Sequence, residues 1–174
     1  IFAHNGTVPN FSRVRDLMLP EIDRFYLDEI RGTTDSEHIF YYLLTLWRNH
    51  PEEPLLRLVG KGLAQIVQWS RDVDPDARIG LNIVLTDGER LVGSRLGRTL
   101  WHLERERIFE CAICGRSHVH HDIGENYRSV EIASEAITDE NWQEIPDGTV
   151  YEVAEDFYLL TKPLPLAMAG NPAG

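Results

Sequence analysis

The dipeptide Asn5-Gly6 carries the residue types in this chain best suited to chemistry. Asparagine offers a side-chain amide NH2 and glycine an unhindered backbone N–H. Aimed at one oxygen that becomes an anion during acyl transfer, the two form the donor set of an oxyanion hole. The same dipeptide is also a strong short-range signal for a type I′ hairpin turn, so two readings stand side by side. A second segment, Cys111-Ala112-Ile113-Cys114-Gly115 followed by His118, His120 and His121, collects soft ligands. Two thiolates at Cys-x-x-Cys spacing can share one metal, and Gly115 allows the tight turn that aims N–H groups at sulfur. With two histidines, Cys111, Cys114, His118 and His120 make a candidate zinc set. Structural zinc sites mostly draw their second ligand pair from a separate element, however, and the alternative is a metal-free insertion between strands.

The elements that must position these residues are readable from periodicity. Ile1-Phe2-Ala3 reads as the end of a strand leading into an Asn-Gly loop. Ser12 is placed to cap a short helix carrying Val14, Leu17 and Met18, Pro20 to restart it, and Gly32 to stop it. Thr34-x-x-Glu37 fits a capping box, and Ile39, Phe40, Leu43, Leu44 and Trp47 follow at helical spacing. A second long helix after Pro54 presents Leu55, Val59, Leu63, Ile66 and Val67 along one side. From Ile79 the period becomes two: Leu81, Ile83 and Leu85 alternate, Asp87-Gly88 turns, and Leu91 opens the return strand. Trp101 and Leu103, then Val130, Ile132 and Ala133, then Tyr151 to Leu160 with a break near Glu155-Asp156, supply further strands. Helices followed by antiparallel strands predict an α+β domain over 1–162. The stretch 163–174, with three Pro and two Gly, has little to bury and reads as a loose C-terminal tail.

Composition narrows the partners. Of 174 residues 43% are hydrophobic and 26% charged, with a net charge of -11, which repels a phosphate backbone and argues against nucleic acid. Trp47, Trp69, Trp101 and Trp142 are well separated, unlike a base-stacking platform. No apolar run approaches the roughly 20 residues of a membrane span. The only two cysteines are too close in sequence to staple a fold and suit a reducing compartment, so the chain reads as soluble and cytoplasmic.

The order of motifs, Phe2-Ala3-His4-Asn5-Gly6 and then Thr33-Thr34-Asp35-Ser36-Glu37, resembles the class II glutamine amidotransferases, which are N-terminal nucleophile hydrolases. Supporting matches lie at Leu85-Thr86-Asp87-Gly88, Arg95 and Ala133-Ser134-Glu135, and these are assigned to the fold. The resemblance implies an αββα sandwich with antiparallel sheets, incomplete in this chain. It also implies a nucleophilic Cys and a carboxylate-binding Arg ahead of the His-Asn-Gly segment, so the chain reads as the later part of such a domain. Asn5 and Gly6 would then hold the oxyanion, and Gly6 and Asp35 would bind substrate, with the Asp35 carboxylate taking the α-ammonium. Asp35 in the first turn of a capped helix is also favoured by the helix dipole alone. His4 is read as orienting the loop or packing beneath it, since in this superfamily the free α-amine can serve as the base. One substrate touching Asn5, Gly6 and Asp35 requires the three to converge. The implied reaction is cleavage of a γ-glutamyl amide through a thioester, and it calls for no cofactor. The alternatives are a γ-glutamyl hydrolase acting on a small thiol metabolite of the glutathione or ergothioneine type, and a non-catalytic binding or assembly lobe. A partner enzyme or a homo-oligomer is left open.

Overall fold

A computed structural model describes residues 1–106 and 128–166. Cys111, Cys114, His118 and His120, and with them the zinc reading, lie outside the described residues. Among those described, no group of three or more His, Cys, Asp or Glu side chains could hold a metal ion, and no helix is long and apolar enough to cross a membrane.

The chain begins with strand β1 (Phe2–Thr7) and continues through α1 (Phe11–Met18), a single 3-10 turn at Leu19–Glu21, the short α2 (Arg24–Leu27), α3 (Asp35–Asn49) and α4 (Leu55–Val73). Seven further strands follow: β2 (Gly80–Thr86), β3 (Leu91–Arg95), β4 (Trp101–Arg105), β5 (Ser129–Ala133), β6 (Gln143–Glu144), β7 (Thr149–Val153) and β8 (Leu159–Pro163). They form a five-stranded sheet ordered β1-β2-β3-β7-β8 and a three-stranded sheet ordered β5-β4-β6, in which every paired strand is antiparallel. The mixed α+β architecture is the one expected.

Alternation along the strands sorts the layers. Leu81, Ile83 and Leu85 of β2, Val92 of β3 and Val150 of β7 face the helices. There they join Val14 and Met18 of α1, Ile39 and Leu43 of α3 and Leu63, Ile66 and Val67 of α4 in the main core. The opposite face of the sheet supplies Tyr151, which packs with Leu100, Ile145 and Ile132 in a smaller cluster on the side of the second sheet. Burial pushes the Tyr151 phenol up, and its hydroxyl is satisfied by donating to the Ile83 carbonyl at 2.9 Å. The described residues thus stack as helices, large sheet and small sheet.

Several local expectations are corrected. Asn5-Gly6 is neither a loop nor a hairpin turn: both residues sit inside β1, paired in register with Asn82 and Leu81. Long-range pairing with β2 overrides the turn preference of the dipeptide, because its backbone hydrogen bonds and the burial of the strand's helix-facing side chains outweigh a local bias. Ser12 does not cap α1, which starts at Phe11 behind Asn10 in the left-handed region (φ 52°). Gly32 does not stop a helix, since α2 has already ended at Leu27. The Thr34 hydroxyl does accept from the Glu37 N–H at 3.4 Å, but the Glu37 carboxylate turns to the N–H groups of Arg31 (2.8 Å) and Gly32 (2.7 Å) rather than back to Thr34. The Arg31 N–H foremost holds that carboxyl below the usual range. In the stretch read as having little to bury, Leu164 is 6% exposed and joins the main core.

Candidate active site

β1 is an edge strand of the five-stranded sheet among the described residues, and its ladder decides which groups are free. Ile1 and Thr86 exchange both backbone hydrogen bonds, the Ile1 N at 2.6 Å from the Thr86 O and the Thr86 N at 2.9 Å from the Ile1 O. Antiparallel pairs alternate, so Ala3, Asn5 and Thr7 bond inward to β2, whereas the N–H and C=O of Phe2, His4 and Gly6 point to the open edge. Leu81, opposite Gly6, agrees: its N–H goes the other way, to the Leu96 carbonyl at 2.9 Å. The Gly6 N–H is therefore a donor on the open edge of the sheet.

Asn5 projects from the sheet face opposite His4. Its side chain is exposed, and its amide Nδ2 donates to the Ser134 hydroxyl at 3.3 Å, just past the end of β5. One amide hydrogen is held this way, and the other has no partner among the described residues. Behind it, the buried Asn82 accepts from the Leu96 N–H at 2.9 Å and donates to the carbonyls of Arg98 (3.2 Å) and Thr99 (3.0 Å). That network fixes the loop running beside Gly80.

Gly6 is required where it stands. A Cβ there would lie 2.0 Å from the Gly80 carbonyl oxygen and 2.8 Å from His4 Nε2, so nothing larger fits between β1 and β2 at this point. The need for glycine comes from strand packing as well as from access to the N–H.

Asp35 opens α3 on the helix side of the same strand. Its Oδ2 accepts from the Val8 N–H at 2.9 Å, and its Oδ1 accepts from its neighbour's N–H, that of Ser36, at 2.8 Å. Its side chain is 18% exposed, so one part is fixed to the end of β1 and another can still reach a ligand. His4 lies beneath, its side chain 1% exposed, with Nδ1 2.9 Å from Ser36 Oγ and Nε2 3.0 Å from the Gly80 carbonyl.

Of the three residues expected to converge, Asn5 and Gly6 lie in β1 and Asp35 opens α3, where it is bonded to Val8 just past the end of the strand. Gly6 lies on the open edge, Asn5 on the side of the small sheet and Asp35 on the side of the helices, tied to the strand two residues beyond Gly6. Sequence reasoning gave no role to Ser36, and it placed Ser134 in the fold alone, although Ser134 is the partner of the Asn5 amide. No local signal marks either, since each acquires its partner from more than 30 residues away. Arg95, assigned to the fold, stays there: it donates to the carbonyls of Arg98 and Ile145 and pairs with Glu144 at 2.6 Å.

A family described as glutamine amidotransferases class-II matches residues 1–164. The probable glutamine amidotransferase DUG3 of Saccharomyces cerevisiae is 27% identical over 184 residues, covering 91% of this chain and 51% of that protein. The chain therefore spans about half the length of this relative. Two solved structures share the fold. One is a glutamine aminotransferase class-II domain protein from Silicibacter pomeroyi (TM-score 0.64, 18% identity, 94% of this chain and 66% of that one). The other is a predicted glutamine amidotransferase from Pseudomonas aeruginosa (TM-score 0.57, 23% identity, 87% and 56%).

Proposed function

The chain belongs to the class II glutamine amidotransferases, and from that premise we propose that it supplies the oxyanion donors and the amino-group acceptor for cleavage of a γ-glutamyl amide. The observation that carries this reading is the open-edge Gly6 N–H beside the exposed Asn5 amide, with the Asp35 carboxylate tied to the end of the same strand.

A γ-glutamyl group lying along this edge would set its amide oxygen near Asn5 and Gly6 and its α-ammonium toward Asp35. The family resemblance assigns the nucleophile to a Cys thiolate. Attack on the amide carbon forms the C–S bond and moves the carbonyl pair onto oxygen, where the Asn5 Nδ2–H and Gly6 N–H meet the new charge. Collapse breaks the C–N bond as the leaving amine takes up a proton. Water then cleaves the thioester, releasing glutamate and regenerating the thiol. The Asp35 carboxylate selects a free amino-acid end by a charge-assisted hydrogen bond.

The test is glutamate release from L-glutamine by the whole protein and by its Asn5→Ala variant. Turnover by the wild type that drops steeply in the variant supports the reading. Undiminished turnover in the variant removes Asn5 from the chemistry.

A further inference from the structure

Resting on the reading of Asp35 as the acceptor of the substrate ammonium, we propose that His4, acting through Ser36, is the positioning residue that holds this carboxylate ready. The hydrogen bonds determine the state of the neutral ring. The Gly80 carbonyl, 3.0 Å from Nε2, can only accept, so Nε2 carries the proton. Nδ1 is then a lone-pair acceptor, and the Ser36 hydroxyl at 2.9 Å donates to it. The Ser36 hydroxyl has one proton. Committed to the ring, it is withheld from Asp35 Oδ1, which lies farther off at 3.3 Å.

The consequence falls on Asp35. Its two oxygens each receive one backbone N–H, from Ser36 at 2.8 Å and from Val8 at 2.9 Å, and each keeps a lone pair for a ligand. The separation of 3.9 Å between His4 Nδ1 and Asp35 Oδ1 is too long for a hydrogen bond, so the ring acts through Ser36 and not directly. The same ring lies directly beneath Gly6, with Nε2 2.8 Å from the place a Cβ would take. One buried imidazole thereby sets the strand bearing the proposed oxyanion donors against the helix start bearing the proposed ammonium acceptor. The spacing of the two functions is fixed before substrate arrives.

The test uses the whole enzyme with two substrates, L-glutamine and the same amide lacking its α-amino group. Wild type prefers the amine-bearing substrate in kcat/KM. His4→Phe frees the Ser36 hydroxyl to donate to Asp35 Oδ1 and lowers that preference about tenfold, chiefly through KM. Ser36→Ala, with no hydroxyl proton to compete for Asp35, keeps the preference within about twofold of wild type, and adding it to His4→Phe recovers the preference that His4→Phe loses. Nitrogen-15 spectra of the histidine rings show His4 in its Nε2–H form at pH 7.5. An unchanged amine preference in His4→Phe, a double variant no better than His4→Phe, or a protonated Nδ1 in the spectra each overturns the inference. A wild type without amine preference refutes the reading of Asp35 itself, and the role of His4 falls with it.

Discussion

Gly6→Ala tests the strand geometry on which the site depends. The added Cβ would stand 2.0 Å from the Gly80 carbonyl oxygen and 2.8 Å from His4 Nε2, where ordinary contact begins near 3.4 Å. Roughly 1.4 Å of separation must be found, and the first obstacle is backbone, which cannot rotate aside as a side chain can. The strand pair must spread locally, stretching the Thr7–Gly80 and Asn5–Asn82 pairings on either side, and the His4 ring must shift away from Ser36. Overpacking of this kind costs about 1–3 kcal/mol, and the backbone clash places this variant at or above about 3 kcal/mol. Alanine's smaller backbone entropy in the unfolded chain returns less than about 1 kcal/mol of that. For a domain of this size a loss of about 2–3 kcal/mol lowers Tm by roughly 4–12 °C. Thermal and urea unfolding of the wild type and the variant, followed by circular dichroism, measure it. A variant within about 0.5 kcal/mol of wild type with unchanged denaturant slope would show that β1 does not pack on Gly80 as described, and the assignment of the Gly6 N–H to the open edge would fall with it.

Four further outcomes follow from the same geometry. On the proposed oxyanion role, in which its donor acts on charge that develops in the transition state, Asn5→Ala lowers kcat of the whole protein by about 10²–10³ with little change in KM, and steady-state kinetics on glutamine read this directly. Asp35→Asn does the opposite: KM rises more than kcat falls, and a reversed pattern in the same assay removes the proposed roles. Leu63→Ala, at a fully buried position in the main core, destabilises by about 2–5 kcal/mol in urea unfolding while leaving the site residues in place. The side-chain hydrogen bond from Arg105 holds the Glu140 carboxyl below its usual range, so the folded state binds this proton more weakly than the unfolded chain. Its stabilising contribution is present above the ordinary carboxyl pKa of 4.5 and is lost as pH falls through the lower folded value, so Glu140→Gln gives a shallower fall of Tm on acidification below about pH 5.

The sequence by itself determined the helices and most of the strands, because those depend on local periodicity. The apolar spacing from Leu55 to Val67 can bury one stripe only as a helix, and the alternation of Leu81, Ile83 and Leu85 buries one face only as a strand. It also carried the family resemblance, in the order of Phe2 to Gly6 and Thr34 to Glu37, and the family match over residues 1–164 agrees. What it misjudged was the setting of Asn5-Gly6. The turn preference of that dipeptide is a local bias, and pairing with β2, more than 70 residues away, overrides it. The two-residue β6 has no periodicity to read. Only the tertiary structure decided that the Gly6 N–H faces the open edge, since that follows from the register of Ile1 against Thr86. Only it joined Asn5 to Ser134 and His4 to Ser36, contacts between segments separated by 129 and 32 residues. Periodicity determines which face a side chain takes, and the packing of distant segments determines what it meets there.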